Sequence, residues 1–287
     1  MKIGLGTAQF GLNYGIANGT GQIDSKLSKK IVNFARDIGI NTIDTALAYG
    51  NSHKVLAKSN LSEFQVVSKL PSFQYQYNSS AYVEDNFYKS LEELQLESIY
   101  SFMFHSSADL FSEYGKDLYD SMKKLKDKKL IEKIGVSIYN PNDLGFILEN
   151  FEIDIVQVPL NVFDQRLISS GYLNKLKMLN IEIHIRSIFL QGLLLLDKDD
   201  IPNRFSPWNE HFQKWHSFNS DNNCSPLESS IAFVKNQILV DKIIVGIDSL
   251  NQLREICSAY SSTKQIEFNR NLSVDDLDLI DPSRWHL

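Results

Sequence analysis

Cysteine is scarce in this chain of 287 residues, which excludes a fold that depends on several disulfide bonds. The two cysteines, Cys224 and Cys257, do not have the spacing of metal ligands. We therefore expect neither a disulfide framework nor a bound metal.

Long apolar runs are also missing. No segment reaches the roughly 18 consecutive apolar residues that a membrane-spanning helix needs. The chain begins MKIGLGTAQFG, where glycines interrupt the continuous apolar stretch of a signal peptide. We therefore expect a cytoplasmic protein with no membrane partner.

Basic residues do not outnumber acidic ones. The chain has 29 Lys and Arg against 35 Asp and Glu, a formal net charge of −6. Nucleic acids attract basic surfaces, so this balance argues against a nucleic-acid partner. The basic run at 123–129 lies on a helical pattern with acidic neighbours, and we interpret it as a solvated helix face.

Three familiar motifs are absent. The stretch Gly4-Leu5-Gly6-Thr7-Ala8-Gln9 fails the dinucleotide pattern G-x-G-x-x-G at its last position. Neither a P-loop nor a G-x-S-x-G nucleophile elbow occurs. We interpret the N-terminal glycines as a close-packed turn at a barrel mouth.

Short Val- and Ile-rich runs alternate with longer amphipathic stretches along nearly the whole chain. Strands are predicted at Ile3–Leu5, Thr42–Asp44, Gln65–Lys69, Ser101–His105, Lys133–Ser137, Ile155–Val158, Glu182–Ile185 and Lys242–Val245. Helices are predicted at Ser25–Ile38, Ser52–Lys58, Ala81–Leu94 and Gly115–Lys129, and after Asn140-Pro141. Parallel strands need helical crossovers, so eight such units favour a closed (β/α)8 TIM barrel, one domain over 1–287.

One connection is too long for an ordinary loop between a strand and a helix. It covers about 190–223, and it is predicted as a long loop. Its aromatic and histidine residues are Trp208, His211, Phe212, Trp215 and His216. Two interpretations remain open: a substrate lid, or an insertion whose aromatic residues merely cover the barrel mouth.

Polar residues close several of the apolar strands. Asp44 ends the second strand, Tyr49 follows it, Lys69 ends the third and His105 ends the fourth. Each alone has a plain structural explanation, such as capping a helix or reaching solvent. A barrel brings the carboxyl ends of its strands to one rim, so together they predict a single pocket.

Such a group could protonate a carbonyl oxygen during hydride transfer. A phenol has an ordinary pKa near ~10, which a neighbouring ammonium lowers. Asp44 could hold Lys69 in place, and His105 could donate a hydrogen bond to the carbonyl. Tyr49 would then quench the charge that develops on oxygen, without a metal.

These motifs resemble the aldo/keto reductase family from Lys2 to the C-terminal segment 281–285. The matching stretches are 4–7, 39–46 with Tyr49-Gly50, 68–70, 105–106 and 135–137. The resemblance implies a (β/α)8 barrel, a nicotinamide cofactor and a small-molecule carbonyl substrate. It also implies an Asp44, Tyr49, Lys69 and His105 tetrad with Tyr49 as proton donor.

The resemblance extends to the cofactor site. It implies that Ser137 and Gln157 contact the nicotinamide amide, and that Arg186 stacks where relatives often have an aromatic ring. The segment from Gly246 to Ser249, with Gln252, resembles the phosphate cradle. The expected cofactor contacts are Thr7, Ser137, Gln157, Arg186, Ser187, Gly246, Asp248, Ser249 and Gln252.

Several positions depart from the family pattern. Ile138 stands where an Asn is common, and His53 stands where a Glu is frequent. Gly246 and Gln252 occupy positions that carry Lys or Arg in many NADP-specific members, and Asp248 would repel a 2′-phosphate. NADP(H) is the family default, and NAD(H) is possible.

Aromatic residues after the first and third strands are the candidate substrate contacts. The expected contacts are Phe10, Tyr14, Tyr75 and Trp208, with Asn13, Tyr77 and Trp215 as further candidates. The stretches 6–11, 186–187 and 191–194 look like a bacterial branch found in polysaccharide or nucleotide-sugar pathways. This resemblance favours a keto-sugar or a sugar-derived aldehyde.

Two other functions remain open at this stage. Some barrels of this family act as nicotinamide-sensing partner subunits without turnover. A different TIM-barrel enzyme, an aldolase, could use Lys69 to form a Schiff base, provided that Asp44 does not keep the lysine charged.

Overall fold

A computed structural model describes residues 1–16, 18–19, 21–75, 78–262, 265–268 and 272–285. The strands are β1 (Ile3–Gly6), β2 (Thr42–Asp44), β3 (Gln65–Leu70), β4 (Ile99–Phe104), β5 (Ile131–Ser137), β6 (Ile155–Pro159), β7 (Glu182–Arg186) and β8 (Lys242–Gly246). The α-helices are α1 (Ala8–Gly11), α2 (Ser25–Asp37), α3 (Ser52–Leu56), α4 (Ser79–Leu94), α5 (Ala108–Phe111), α6 (Gly115–Asp127), α7 (Leu144–Asn150), α8 (Arg166–Ser169), α9 (Tyr172–Met178), α10 (Asn209–Asp221), α11 (Pro226–Lys235), α12 (Leu250–Ser261) and α13 (Leu277–Ile280). Short 3₁₀ helices lie at Pro141–Asp143, Leu190–Leu195, Lys198–Asp200, Asn203–Trp208 and Pro282–Arg284.

The eight strands form one closed parallel barrel in sequence order. The last strand pairs with the first, with Leu5 opposite Val245, which closes the sheet. This arrangement confirms the predicted (β/α)8 barrel. The strand predictions differ at their ends, since β4 and β5 begin two residues earlier than the sequence pattern indicated, at Ile99 and Ile131.

Glycines inside the barrel leave room for larger neighbours. A Cβ atom on Gly4 would lie 2.7 Å from Ile244 Cδ1, and one on Gly135 would lie 2.6 Å from Met103 Cγ. Both separations are shorter than carbon atoms tolerate. Gly4 is therefore explained by close packing against Ile244 of the neighbouring strand β8. The interpretation of the N-terminal glycines as a turn was wrong, because Gly4 and Gly6 lie within β1.

The helices surround the barrel and bury one face each. In α2, Ile31, Val32 and Ala35 are buried, and Asp24 caps the helix by accepting from the Lys26 and Leu27 amides. The helix ends at Asp37, shortly before Gly39 with φ of +81°. In the described ranges, no helix combines the length and the apolar character needed to cross a bilayer.

The segment predicted as a long loop at about 190–223 is largely helical. It contains three 3₁₀ segments and the 13-residue helix α10. Trp215 of α10 is fully buried, donates from its Nε1 to the Leu194 carbonyl at 2.9 Å, and lies against Phe163. The aromatic residues of α10 thus serve packing, and only the beginning of this segment reaches the central cavity.

Candidate active site

Four polar side chains meet at the carboxyl rim of the barrel. Lys69 Nζ, at the end of β3, donates to Asp44 Oδ1 at 2.6 Å and to the Thr45 carbonyl at 3.1 Å. It also lies 3.4 Å from the Tyr49 hydroxyl. The His105 ring meets the Tyr49 ring edge to face, with centroids 5.7 Å apart. The structure therefore brings together the four residues that the strand ends predicted.

Burial controls the ionisation of these groups. It lowers the pKa of Lys69, against the opposing effect of Asp44, and it lowers the pKa of His105 to about 4. At neutral pH the His105 imidazole is uncharged and keeps one N–H to donate.

The pKa of Tyr49 moves against the expectation drawn from its neighbouring ammonium. Burial and the Asp44 carboxylate raise it, while the cationic group that lowers it is Arg186. The phenol is therefore protonated at neutral pH, as a proton donor must be before the reaction.

Gln157 takes part in this cluster. Its Nε2 donates to Asp44 Oδ2 at 2.7 Å, so both carboxylate oxygens of Asp44 are engaged. Gln157 also lines the cavity, where the sequence predicted a contact to the nicotinamide amide. Gln157 is the one polar residue in the apolar run 155–158, and this feature of the sequence predicts its place in the site.

A cavity of about 570 Å³ extends from this cluster across the ends of β7 and β8 to the start of α12. The predicted residues that line it are Thr7, Tyr14, Asp44, Tyr49, His105, Ser137, Gln157, Arg186, Ser187, Gly246, Asp248 and Gln252. Lys69 lies behind Asp44 and Tyr49, with no exposed surface. Ser249 does not line the cavity; its hydroxyl caps α12 by accepting from the Gln252 amide at 3.2 Å.

Three expected substrate contacts lie elsewhere. Phe10 is fully buried in the core because the short helix α1 turns its side chain inward. Tyr75 is 68% exposed, and it borders a separate shallow depression next to Phe111. Trp208 donates from its Nε1 to Asp276 at 2.9 Å, away from the cavity. Tyr77 lies outside the described residues.

His53, the departure from the family pattern near Tyr49, is also structural. Its ring is buried, and Nε2 lies 3.1 Å from the Ser68 hydroxyl. Nδ1 lies 3.7 Å from Glu93, and burial lowers the pKa of His53 to about 4. Its side chain packs behind β3 and does not line the cavity.

Other cavity residues were not found from the sequence. Tyr139 follows β5, and the Arg186 guanidinium lies 4.1 Å from the centre of its ring. Gln191 donates to the Tyr14 hydroxyl at 3.2 Å, joining the segments that follow β7 and β1. Tyr139 could have been inferred from its place two residues after Ser137, but Gln191 depends on an irregular turn with φ of +55°.

The far end of the cavity has features that fit a dinucleotide. Gly246 presents bare backbone there, and a Cβ at this position would lie 2.7 Å from Gln9 Nε2. Gln9 Oε1 and Asp248 Oδ1 are buried without a hydrogen-bond partner among the described atoms. Ser225 at the start of α11 and Gln252 in the first turn of α12 both border this end, so polar groups remain for a polar ligand.

Comparison with known proteins decides the family. The family model described as the aldo/keto reductase family matches residues 2–273. The chain belongs to the aldo/keto reductase family. This result confirms the resemblance carried by the strand-end motifs.

The relatives are bacterial. An aldo-keto reductase from Mycolicibacterium vanbaalenii is 32% identical over 138 residues, which cover 46% of this chain and 48% of that protein. An aldo-keto reductase from Mycolicibacterium smegmatis is 28% identical over 165 residues, which cover 54% of this chain and 57% of that protein. The chain thus spans about half the length of these curated relatives.

Two solved structures share the fold across nearly the whole chain. The aldo-keto reductase AKR11C1 from Bacillus halodurans, in its holo form, has a TM-score of 0.76 at 17% identity, covering 92% of this chain and 88% of that one. The glycerol dehydrogenase AKR11B4 from Gluconobacter oxydans has a TM-score of 0.71 at 20% identity, covering 93% and 88%.

Proposed function

We propose that this protein is an oxidoreductase that reduces a small aldehyde or ketone to an alcohol, using a nicotinamide cofactor. The observation that carries this proposal is the position of Lys69 Nζ, 2.6 Å from Asp44 and 3.4 Å from the Tyr49 hydroxyl, behind a cavity that Tyr49 and His105 line. Membership of the aldo/keto reductase family supports the same reaction class.

Each residue of the cluster has a different role in proton transfer to the carbonyl oxygen. The neutral His105 donates a hydrogen bond to the carbonyl oxygen, and this bond strengthens as charge develops there. Tyr49 donates its phenolic proton to that oxygen. The Lys69 ammonium stabilises the phenolate that forms, while Asp44 holds the lysine in place and Gln157 holds Asp44. The cofactor, when bound, supplies the hydride.

We assign the cofactor to the part of the cavity between Ser137 and α12. Ser137, Gln157 and Arg186 would contact the nicotinamide end, and Thr7 and Ser187 lie beside them. Gly246 and Gln252 would contact the phosphates, and Asp248 would accept hydrogen bonds from the adenosine ribose, with Ser249 ordering the start of α12. Arg186 is the only Lys or Arg among the described lining residues, and Glu255 joins Asp248 near α12. We therefore propose that NADH is used at least as well as NADPH.

The experiment is to mix the protein with NADH or NADPH and small aldehydes, and to follow cofactor oxidation at 340 nm. With cofactor deuterated at C4, we expect the label in the product alcohol, because hydride passes directly to the carbonyl carbon. A nicotinamide-sensing subunit would bind the cofactor with no aldehyde-dependent oxidation. A Schiff-base aldolase would instead be trapped at Lys69 by borohydride and a carbonyl substrate. Either result would overturn the proposal.

Sugars are one candidate substrate class. The motifs that resemble polysaccharide-pathway relatives favour a keto-sugar or sugar aldehyde. The hydroxyls and amides of Tyr14, Gln191 and Asn18 border the cavity and suit a polyhydroxylated molecule.

A further inference from the structure

Arg186 is a cation that lines the cavity. Among the described residues, no Asp or Glu forms an ion pair with it. Its guanidinium donates to the Ile138 carbonyl at 3.1 Å and to the Ser187 hydroxyl at 3.3 Å. A guanidinium has five N–H donors, so the others have no protein acceptor in the described part of the chain. A partly buried cation of this kind favours an anion.

The surrounding contacts hold the guanidinium in place. Tyr139 covers one face at 4.1 Å from its ring centre, and the Ser187 carbonyl accepts from Asn161 Nδ2 at 3.0 Å. Ser187 itself has φ of +58°, an unusual conformation for a residue other than glycine. The side chain is therefore ordered before any ligand binds, which reduces the entropy cost of binding.

The guanidinium lies on the tetrad side of the cavity. Arg186 ends β7, yet it reaches the Ile138 carbonyl beyond the end of β5, and β6 lies between these strands. Gln157 of β6 contacts Asp44 in the tetrad. The positive charge of Arg186 also acts on Tyr49 and lowers its pKa against the larger effect of burial. The acidic lining residues other than Asp44, which is paired with Lys69, are Asp248 and Glu255 near α12.

We infer that Arg186 binds an anionic group of the substrate, so that the protein reduces carbonyl compounds bearing a carboxylate or a phosphate. This inference rests on the proposed function, because it names the substrate class of the same site. A sugar acid or a sugar phosphate with a free carbonyl belongs to this class. Stacking uses the face of a guanidinium and anion binding uses its edge, so Arg186 can also contact a nicotinamide ring.

The test compares two aldehydes that differ in charge but share a benzaldehyde core, 4-carboxybenzaldehyde and methyl 4-formylbenzoate. We expect wild-type kcat/KM to be roughly 10- to 100-fold higher for the carboxylate, the range for a hydrogen bond to a charged group. Arg186→Met should remove this preference, measured as the ratio of kcat/KM for the two aldehydes, because any loss of a cofactor contact lowers kcat/KM for both aldehydes alike. Arg186→Lys keeps the positive charge and should retain part of the preference for the charged aldehyde. This variant tests the role of the charge if the methionine variant does not fold.

The matched control is Arg36→Met, which removes one positive charge from the surface of α2 and should leave the preference intact. Calorimetric titration with 4-(hydroxymethyl)benzoate and its methyl ester gives a readout that needs no turnover, and Arg186→Met should weaken only the carboxylate. Equal treatment of charged and neutral compounds by the wild type in both assays would overturn the inference.

The same assays and titrations distinguish a failure of the proposed function from a failure of the inference about Arg186. If neither aldehyde is reduced, the proposed function fails and calorimetry still decides the anion site. If Arg186→Met weakens NADH binding and leaves the preference for the charged aldehyde unchanged, the cation serves the cofactor, and the inference is wrong.

Discussion

At the scale of single residues, desolvation rather than any neighbouring charge sets the protonation of the groups around the cavity. Burial raises the pKa of Tyr49 and lowers the pKa of both Lys69 and His105. The ammonium beside the phenol could be expected from the sequence, but burial could not, because residue type does not reveal how much water surrounds a side chain. An acid that stays protonated and a hydrogen-bond donor that stays neutral suit the proposed reaction.

The pKa of His105 is the clearest check at this scale. We expect a value near 4, against about 6.5 for an exposed histidine, because burial and Lys69 disfavour the imidazolium. The unfolded chain binds this proton at a higher pH than the folded protein, so stability is lost as the pH falls from about 6.5 towards 4. NMR titration of the ring, assigned by comparison with His105→Gln, measures the value. An ordinary pKa near 6.5 would contradict this account.

At the scale of elements, the strand ends were predictable and the side-chain directions after them were not. Parallel strands bring their carboxyl ends to one rim, so Asp44, Lys69 and His105 could be grouped from sequence alone. Phe10 could not be placed, because the one-turn helix α1 directs it into the core. Trp208 could not be placed either, since its partner Asp276 lies 68 residues away along the chain.

We expect the start of α12 to decide which cofactor binds more tightly. Asp248→Asn removes a negative charge from this end of the cavity, so NADPH should bind roughly 3- to 10-fold more tightly, with NADH little changed. Fluorescence titration of both reduced cofactors measures the ratio. Asp199→Asn, on an exposed 3₁₀ turn, is the charge-matched control. An unchanged ratio would show that Asp248 does not face the 2′-phosphate.

At the scale of the whole molecule, the candidate active site and a cluster of ionised side chains around Glu182 lie at opposite ends of the barrel. The tetrad lies at the carboxyl ends of the strands, whereas Glu182 begins β7 at the opposite end. Glu182 accepts from Tyr100 at 2.6 Å, pairs with Lys133, and lies 2.7 Å from His184 Nε2. Burial opposes its ionisation, yet the His184, Lys133 and Tyr100 hydrogen bonds hold the pKa of Glu182 well below its usual range.

This cluster should contribute stability without affecting catalysis. Glu182→Gln removes the charge that pairs with Lys133 and should lower the free energy of unfolding by about 3 kcal/mol at pH 7. The depressed pKa means that the difference shrinks as the pH falls below about 4.3, where the unfolded chain becomes protonated. Denaturant unfolding at pH 7 and below pH ~4.3 measures the difference in the free energy of unfolding. Glu210→Gln, at an exposed position, is the control. A loss of kcat at full stability would contradict this separation.

The barrel architecture was predictable because eight apolar runs with helical crossovers leave few alternatives in 287 residues. The helix α10 within 190–223 was missed, although Phe212, Trp215 and Asn219 have the spacing of one helix face, because the length of this connection was interpreted as a loop. Only the structure shows that Phe163 packs against Phe212 and Trp215. The position of Arg186 at the end of its strand was visible in the sequence. Only the three-dimensional arrangement shows that no acidic residue of the described ranges pairs with it.

The most direct test of the account is the rate of carbonyl reduction by Tyr49→Phe. Removal of the phenolic proton beside Lys69 should lower kcat by roughly 100-fold or more, the usual contribution of a positioned acid, while the Kd for NADH changes about twofold or less. Tyr88→Phe, on the exposed side of α4, should retain full activity. A Tyr49→Phe protein that binds NADH and reduces the aldehyde within about threefold of the wild-type rate would contradict Tyr49 as the proton donor.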